Sequence, residues 1–371
     1  MSVNHKMLLI TTGGTIAGKV ATTKKEQDYE IKNADAFSEL LKDTILFIKK
    51  TQGIELNIET EDLEAVDSSN IKPETWVEII DIIQKEYDNY DSFVITHGTN
   101  TLGYTSAALS FAIANPAKPI IITGSQVPLG MPGSDAQSNL ENAIRVAVLK
   151  PKRSIIRGVI CVFGSHIITG TRVKKDTEFD YDAFKTFQRS SIGRIGRIID
   201  INEVNLDHHC KYHETPNYPV AKSKSKLIIK KGFEPRIVSL TEFPGMDPEI
   251  LKFLHKNNSI QGFIIRAFGA GDLASSFVPV LEYLKDRDVP VVVTTQAPNG
   301  NATLQVNEPG QYLSKNNLVI PAYDMSHESQ VTKLSWLLGN LVGLEGSFDN
   351  YRALMTEDIR GEISVMWEDE I

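Results

Sequence analysis

Two segments rich in glycine and threonine could bind a carboxylate or stabilise an oxyanion. They are Thr11-Thr12-Gly13-Gly14-Thr15-Ile16-Ala17-Gly18 and Ile95-Thr96-His97-Gly98-Thr99-Asn100-Thr101, and each follows an apolar run typical of a strand. Paired glycines allow a sharp turn and a close backbone approach, which would leave the Thr15 hydroxyl at the end of its strand. A helix pattern follows the second segment, so unpaired N–H groups and threonine hydroxyls would meet there. The simpler alternatives are a tight strand-to-helix turn and ordinary N-capping.

Other signatures of chemistry are absent or weak. The first segment matches neither the dinucleotide pattern G-x-G-x-x-G nor the phosphate pattern G-x-x-x-x-G-K-[ST], and G-x-S-x-G and H-E-x-x-H do not occur. Cys161 and Cys210 lack metal-ligand spacing. His208, His209 and Cys210 are contiguous and cannot easily converge on one ion, so a loop cluster is favoured over a metal site.

The elements that position these segments alternate between strand and helix patterns. Such alternation predicts two α/β domains with mostly parallel sheets, whose ligands bind at the carboxyl ends of the strands. We assign residues 1–201 to an N-terminal α/β domain that carries both segments, 202–231 to a linker, and 232–371 to a smaller C-terminal α/β domain. Strands are predicted over 6–11, 91–97, 119–124, 157–164, 236–240, 262–268 and 289–295, and helices over 73–87, 101–114, 134–149, 248–257, 277–286, 329–342 and 348–359.

Composition favours a small-molecule ligand. The 371 residues include 39 Lys and Arg against 47 Asp and Glu, a net charge of -8, so no electrostatic footprint for nucleic acid or an anionic membrane is expected. The first apolar run is too short for a signal peptide, and no run approaches the roughly 20 residues of a membrane span. With only two cysteines, we expect a cytoplasmic protein.

Together, the two segments resemble the asparaginase and glutaminase family, whose signatures are T-G-G-T-I-A-G and H-G-T-D-T. The resemblance spans almost the whole chain, and the cytoplasmic type I branch is the most similar. It implies an asparaginase-like fold that hydrolyses L-asparagine to L-aspartate and ammonia, with no cofactor and no metal. Further matching segments are Val66-Asp67-Ser68-Ser69-Asn70, Thr123-Gly124-Ser125-Gln126, Arg172-Val173-Lys174-Lys175, Phe184, Ile265-Arg266-Ala267-Phe268-Gly269 and Thr332-Lys333-Leu334.

The resemblance also implies catalytic roles. Thr15 would be the nucleophile that attacks the side-chain amide and forms an acyl-enzyme, with Tyr29 on a mobile loop as its activating partner. Thr99 would pair with Lys175, because a desolvated lysine beside a hydroxyl can act as a base. Read without the resemblance, Tyr29 could be an ordinary loop residue and Lys175 a solvated surface lysine.

The substrate-binding residues implied by the resemblance include one departure. Asp67 and Ser68 would hold the substrate α-carboxylate, with Ser69 beside them. Asn100 stands where the family has an aspartate that accepts the substrate α-ammonium. A neutral amide binds an ammonium less well than a carboxylate, so we expect at least ~1 kcal/mol of ammonium binding to be lost. Lys175 would also lose an anionic neighbour.

The departure at Asn100 leaves several functions open. The chain could be a weakened or altered asparaginase, a catalytically weak amino-acid-binding or regulatory member, or a deliberately substituted enzyme that traps substrate. A protein that deamidates amino acids attached to tRNA is disfavoured by the negative net charge, although the basic run over 222–231 leaves it open. The family resemblance implies a homodimer or homotetramer.

From the sequence alone, Asn100→Asp should raise asparagine hydrolysis. A gain of at least about ten-fold is expected, because a charge-assisted hydrogen bond replaces a neutral one. The rate of ammonia release from asparagine measures it, and an unchanged rate would contradict this account.

Overall fold

The computed structural model describes residues 3–13, 24–151, 156–214, 227–341 and 345–364. The chain divides into two compact units, Met1–Ile229 and Lys230–Ile371. Each unit has its own main sheet, of eight strands in the first and four in the second. Across the described ranges, no helix combines the length and apolar character that a bilayer span requires.

The described part of the first unit contains five helices and twelve strands, and most of the strands are short. Its helices are α1 (Lys24–Gln52), α2 (Pro73–Glu86), α3 (Leu102–Ala112), α4 (Ala136–Ala147) and α5 (Glu203–Glu214). Its strands are β1 (Val3–Thr11), β2 (Ile54–Asp62), β3 (Ser92–Thr96), β4 (Ile113–Ala114), β5 (Pro119–Thr123), β6 (Gly158–Phe163), β7 (His166–Thr169), β8 (Val173–Lys175), β9 (Phe184–Thr186), β10 (Gly193–Ile195), β11 (Ile199–Ile201) and β12 (Ile228–Ile229).

The main sheet of the first unit has the order β11-β10-β7-β6-β5-β3-β1-β2. Five of its strands, β2, β1, β3, β5 and β6, are parallel, and β7, β10 and β11 extend it in antiparallel fashion. Every residue of β3, β5 and β6 is buried, as expected of parallel strands with both faces covered. The predicted mostly parallel α/β fold is therefore confirmed, while the antiparallel extension was not predicted.

Helix α3 is buried along almost its whole length, which its small residues permit. Ala, Ser and Gly side chains let a helix approach neighbouring backbone closely. At one such approach, a Cβ on Gly170 would lie 2.4 Å from Oγ of Ser110, so the position accepts only glycine without displacement. The helix that follows the second glycine and threonine segment is thus fixed by packing.

The predicted linker over 202–231 is partly built into the first unit. Its first part forms α5, whose residues Leu206, His209 and Cys210 are buried. Their spacing places them on one helical face, a pattern hidden by the polar composition of the segment. Its last part, β12, pairs antiparallel with β4. Residues 215–226 lie outside the described part of the chain.

The histidines of α5 serve the fold rather than forming a loop cluster. His209 Nε2 lies 2.9 Å from the carbonyl oxygen of Arg157, and burial lowers the pKa of His209 to about 4, so the ring is neutral. His208 contacts Arg189 and Tyr212. Over the described residues, no group of three or more His, Cys, Asp and Glu side chains is arranged to hold a metal ion.

The second unit has a parallel sheet in the order β13-β14-β15-β16. Predicted helices and strands match most of these elements within a few residues, whereas α8 and β16 were not predicted. The strands are β13 (Ile237–Thr241), β14 (Gly262–Ala267), β15 (Val291–Thr295) and β16 (Ile320–Pro321), and the helices are α6 (Glu249–Asn258), α7 (Val278–Lys285), α8 (Glu308–Lys315), α9 (His327–Asn340) and α10 (Phe348–Thr356).

A buried ion pair anchors the end of the second unit to α9. Lys333 Nζ lies 2.5 Å from Glu362 Oε1, and both side chains are 0% exposed. Burial disfavours the charged carboxylate, but Lys333 and the backbone N–H groups of Ile359 and Arg360 outweigh this effect and lower the pKa of Glu362. The Glu362 carboxylate therefore keeps its negative charge inside the unit.

Removing the cation of this pair should destabilise the protein. Lys333→Met would leave the Glu362 carboxylate buried without its partner, at a cost of about 3–5 kcal/mol in the free energy of unfolding. Urea denaturation followed by circular dichroism measures the change. Lys315→Met, at an exposed lysine of α8, is the matched control and should change stability by less than about 0.5 kcal/mol. Equal effects of the two substitutions would contradict the assignment.

Candidate active site

Strand register brings the two glycine and threonine segments to one edge of the sheet. Thr11 on β1 pairs with Thr96 on β3, and Thr96 pairs with Thr123 on β5. Just beyond these ends, both N and Oγ1 of Thr12 donate hydrogen bonds to the Thr96 carbonyl oxygen, at 3.2 and 3.1 Å. The carboxyl ends of three parallel strands therefore lie side by side, where ligands bind in such sheets.

Gly13 brings the segment around Asp67 against the first turn. Its φ is +83°, and a Cβ there would lie 2.7 Å from Cα of Ala65 and 2.8 Å from N of Val66. The N–H of Val66 donates to the Thr12 carbonyl oxygen at 3.3 Å. The segment after Ala65 thus packs directly on the first glycine and threonine turn.

Two catalytic candidates, Thr15 and Tyr29, are not placed by the structure. Thr15 lies outside the described residues, as does the side chain of Tyr29. The backbone at position 29 belongs to α1, and not to the loop expected from the sequence. Their roles therefore stay predictions from the family resemblance.

A chain of hydrogen bonds holds the second turn, at Gly98, in place. His97 Nδ1 lies 2.7 Å from the Gly98 carbonyl oxygen, which can only accept, so Nδ1 carries the hydrogen. His97 Nε2 then accepts from the Thr105 hydroxyl at 2.9 Å, and Thr105 in turn accepts from Trp76 Nε1 at 3.0 Å. Burial lowers the pKa of His97 to about 4. The ring is neutral, and its two hydrogen bonds connect the turn at Gly98 to Thr105 on α3.

The turn at Asp67 and the turn at Gly98 interlock through Ser68. The N–H of Asn100 donates to Ser68 Oγ at 3.2 Å, and the Thr101 hydroxyl donates to the Ser68 carbonyl oxygen at 2.7 Å. A Cβ on Gly98 would lie 2.7 Å from both Cβ and Oγ of Ser68. The side chain of Asp67 accepts from the Ser69 N–H at 2.8 Å and caps the short 3-10 helix Ser68–Asn70.

The side chain of Asn100 joins this turn to Lys175. Its Nδ2 donates to Ser69 Oγ at 2.9 Å, while its Oδ1 accepts from Lys175 Nζ at 3.3 Å. The geometry also fixes the orientation of the amide, because a serine hydroxyl can accept whereas a lysine ammonium can only donate. The residue that departs from the family signature is therefore hydrogen-bonded through both ends of its amide.

Lys175 makes two further contacts, and one was missed in the sequence. Its Nζ donates to Thr99 Oγ1 at 3.0 Å and to Glu178 Oε2 at 2.8 Å. Lys175 thus has one anionic neighbour, Glu178, although an amide stands at position 100. The spacing of three residues between Lys175 and Glu178 was the available signal, but acidic residues recur at every second position over 176–182 and the pattern singles out none of them. The Lys175 side chain is 14% exposed, so it is not a solvated surface lysine.

Two family models match this chain over most of its length. They are described as "Asparaginase, N-terminal", over residues 6–209, and "Glutaminase/Asparaginase C-terminal domain", over residues 236–345. The chain is 34% identical to an L-asparaginase of Thermococcus kodakarensis over 361 residues, which cover 97% of this chain and 99% of that protein.

One further relative and one solved structure are also similar to this chain. A subunit of the glutamyl-tRNA(Gln) amidotransferase of Methanococcus maripaludis strain C7 is 31% identical over 361 residues, covering 96% of this chain and 80% of that one. The solved structure of L-asparaginase I from Vibrio cholerae O1 biovar eltor superposes with a TM-score of 0.78 and 28% identity, over 98% of this chain and 100% of that one. This match agrees with the predicted resemblance to the type I branch.

The contact between Gly98 and Ser68 should tolerate no side chain. Gly98→Ala would overlap Ser68 and should lower the free energy of unfolding by about 1–3 kcal/mol. Amide exchange at Asn100, whose N–H is donated to Ser68, should accelerate at the same time. Gly196→Ala is the control, because a Cβ there meets nothing within 4 Å. Unchanged exchange at Asn100 in Gly98→Ala would show that the two turns do not interlock as described.

Proposed function

This chain belongs to the asparaginase and glutaminase family, and we propose that it hydrolyses the side-chain amide of L-asparagine to L-aspartate and ammonia. The observation that carries the proposal is the contact between Lys175 Nζ and Thr99 Oγ1, 3.0 Å apart, beside the turn of Ser68 and Ser69. A hydroxyl, a cation and a polar turn thus share one edge of the sheet, which suits a small amino acid carrying an amide.

In the proposed reaction, Thr15 is the nucleophile and Tyr29 its activating partner. The Thr15 oxygen attacks the amide carbon, the tetrahedral intermediate releases ammonia after protonation of the leaving nitrogen, and an ester to Thr15 remains. Water then attacks the ester carbon, which releases aspartate and restores the Thr15 hydroxyl. The family resemblance supports both assignments.

Thr99 and Lys175 are proposed to handle protons in this reaction. Because Lys175 donates to Thr99 Oγ1, the hydrogen of the Thr99 hydroxyl is left to point toward substrate or water. The Lys175 side chain is 14% exposed, so it is held away from bulk solvent. A proton can therefore pass between Lys175 and the positioned Thr99 hydroxyl. Thr99 therefore links Lys175 to the reacting amide.

The turn after Val66 is proposed to receive the substrate α-carboxylate. Ser68 and Ser69 offer hydroxyl groups there, and Asp67 caps the turn through its contact with the Ser69 N–H. A carboxylate repels another carboxylate, so we propose that Asp67 acts mainly by shaping the turn.

A catalytically weak amino-acid-binding protein is the second candidate function. Asn100 favours it, because its oxygen accepts from Lys175 and its nitrogen donates to Ser69, so neither atom adds a negative charge for an ammonium. Ammonia release from L-asparagine and from L-glutamine, measured in parallel with calorimetric binding, separates the candidates. Release from asparagine supports the hydrolase, and binding without release supports the second function.

The match to a subunit of the glutamyl-tRNA(Gln) amidotransferase motivates one further comparison. That relative is longer than this chain, which covers 80% of it. Deamidation of free asparagine would support a free amino acid as substrate.

We also propose a homodimer or homotetramer, and a monomeric mass in light scattering would contradict it.

Replacing Lys175 should abolish most of the proposed activity. Lys175→Met removes the proton-handling group, and kcat for ammonia release from asparagine should fall by at least about 100-fold. Lys185→Met is the matched control, because this lysine on neighbouring β9 pairs with Asp176 and its side chain is 57% exposed. An unchanged kcat in Lys175→Met would remove Lys175 from the mechanism.

A further inference from the structure

We propose that Glu178 is a specificity-determining residue that supplies the negative charge facing the α-ammonium of the substrate. The family has an aspartate at position 100 for this purpose, and Asn100 cannot replace it. The inference rests on the proposed hydrolysis of a free amino acid. It concerns one carboxylate that sequence patterns did not identify.

The first support is the set of contacts around Lys175. An ammonium has three hydrogens to donate, and Lys175 uses them on Thr99 at 3.0 Å, Asn100 at 3.3 Å and Glu178 at 2.8 Å. Within the described ranges, Glu178 is the sole carboxylate at salt-bridge distance from Lys175. The shortest of the three contacts is therefore also the charged one.

Neighbouring acidic residues are occupied elsewhere. Asp176 pairs with Lys185 on the exposed side of the β8 and β9 hairpin. Asp67 caps the Ser69 N–H. Among the residues that the structure describes, Glu178 is thus the one that joins an acidic side chain to the pair of Lys175 and Thr99.

The backbone of Glu178 is held in place by a second set of contacts. Gln126 Nε2 donates to the Glu178 carbonyl oxygen at 2.9 Å. The backbone N–H groups of Gln126 and Val127 donate in turn to the two carboxylate oxygens of Asp135, at 3.0 and 2.9 Å. Since Gln126 lies just after β5, the position of Glu178 is tied to the same sheet edge as the two turns.

Exposure places Glu178 on the solvent side of the lysine. Its side chain is 66% exposed, against 14% for Lys175. An amino acid entering from solvent would therefore meet this carboxylate before it reaches Lys175. One carboxylate oxygen binds Lys175, and the other is left for the α-ammonium, so Glu178 can bind both cations and reduce their mutual repulsion.

This arrangement replaces the expectation, drawn from the sequence alone, that Asn100→Asp raises asparagine hydrolysis by at least about ten-fold. In the wild-type protein, Asn100→Asp would place two carboxylates around one lysine, and their repulsion would offset the new contact with the ammonium. The same substitution would restore the missing charge if Glu178 were neutral. Asn100 and Glu178 therefore act as a matched pair that gives Lys175 one anionic neighbour.

The test compares asparagine with succinamate, which is asparagine without its α-ammonium. In Glu178→Gln, KM and the calorimetric Kd for asparagine should rise by about ten-fold or more, because a charge-assisted contact is lost. The values for succinamate should stay within about two-fold of wild type, since this ligand has no ammonium to bind. Asp180→Asn, a carboxylate-to-amide change on the same loop, is the matched control and should alter neither ligand.

A second variant moves the charge. Asn100→Asp should recover most of the lost asparagine affinity in the Glu178→Gln protein, but change it by less than about three-fold in the wild-type protein. A ten-fold gain from Asn100→Asp in the wild-type protein would overturn the proposal. So would an equal loss for asparagine and succinamate in Glu178→Gln, or no loss for either.

Failure of the proposed function is distinguishable from failure of this inference. Asparagine that binds without ammonia release would contradict the hydrolase, while the Kd values for the two ligands would still decide the role of Glu178. Absence of asparagine binding to the wild-type protein would overturn both.

Discussion

The hydrogen bonds from Thr12 to the Thr96 carbonyl oxygen fix the geometry on which the candidate site depends. They join the first residue after β1 to the last residue of β3, so the two turns begin side by side at the same edge of the sheet. Gly13 then admits the backbone of Ala65, and Gly98 admits Ser68. Because both approaches are closer than a Cβ allows, the site is defined by backbone packing before any catalytic side chain is considered.

Buried polar groups and charged groups are separated in this site. His97 lies beneath the second turn as a neutral ring, with both nitrogens hydrogen-bonded. The charges, Lys175 and Glu178, lie above the turn and closer to solvent. Burying a charge is costly, which agrees with a neutral ring at the buried His97 and an ion pair whose carboxylate, Glu178, is 66% exposed.

Periodicity in the sequence predicted most of the parallel strands and most helices, whereas β2 and β16 were not predicted. The meeting of Thr99 with Lys175 was implied by the family resemblance, and the two side chains do lie in contact. Periodicity did not predict contacts between residues that are remote in sequence or hidden in polar runs. Helix α5 was assigned to a linker because three buried residues stood among charged ones. The buried ion pair of Lys333 and Glu362 was not predicted either, since nothing in the sequence around either residue indicates burial.

Glu178 shows why a signature residue and the charge it carries must be considered separately. Read as a motif, Asn100 marks a site that has lost its carboxylate. In space, the amide bridges Ser69 and Lys175, because its nitrogen donates to the Ser69 hydroxyl and its oxygen accepts from Lys175. The negative charge then comes from a loop three residues beyond Lys175. An amino-acid site needs a certain balance of charges around its ligand, and different positions in the chain can supply that balance.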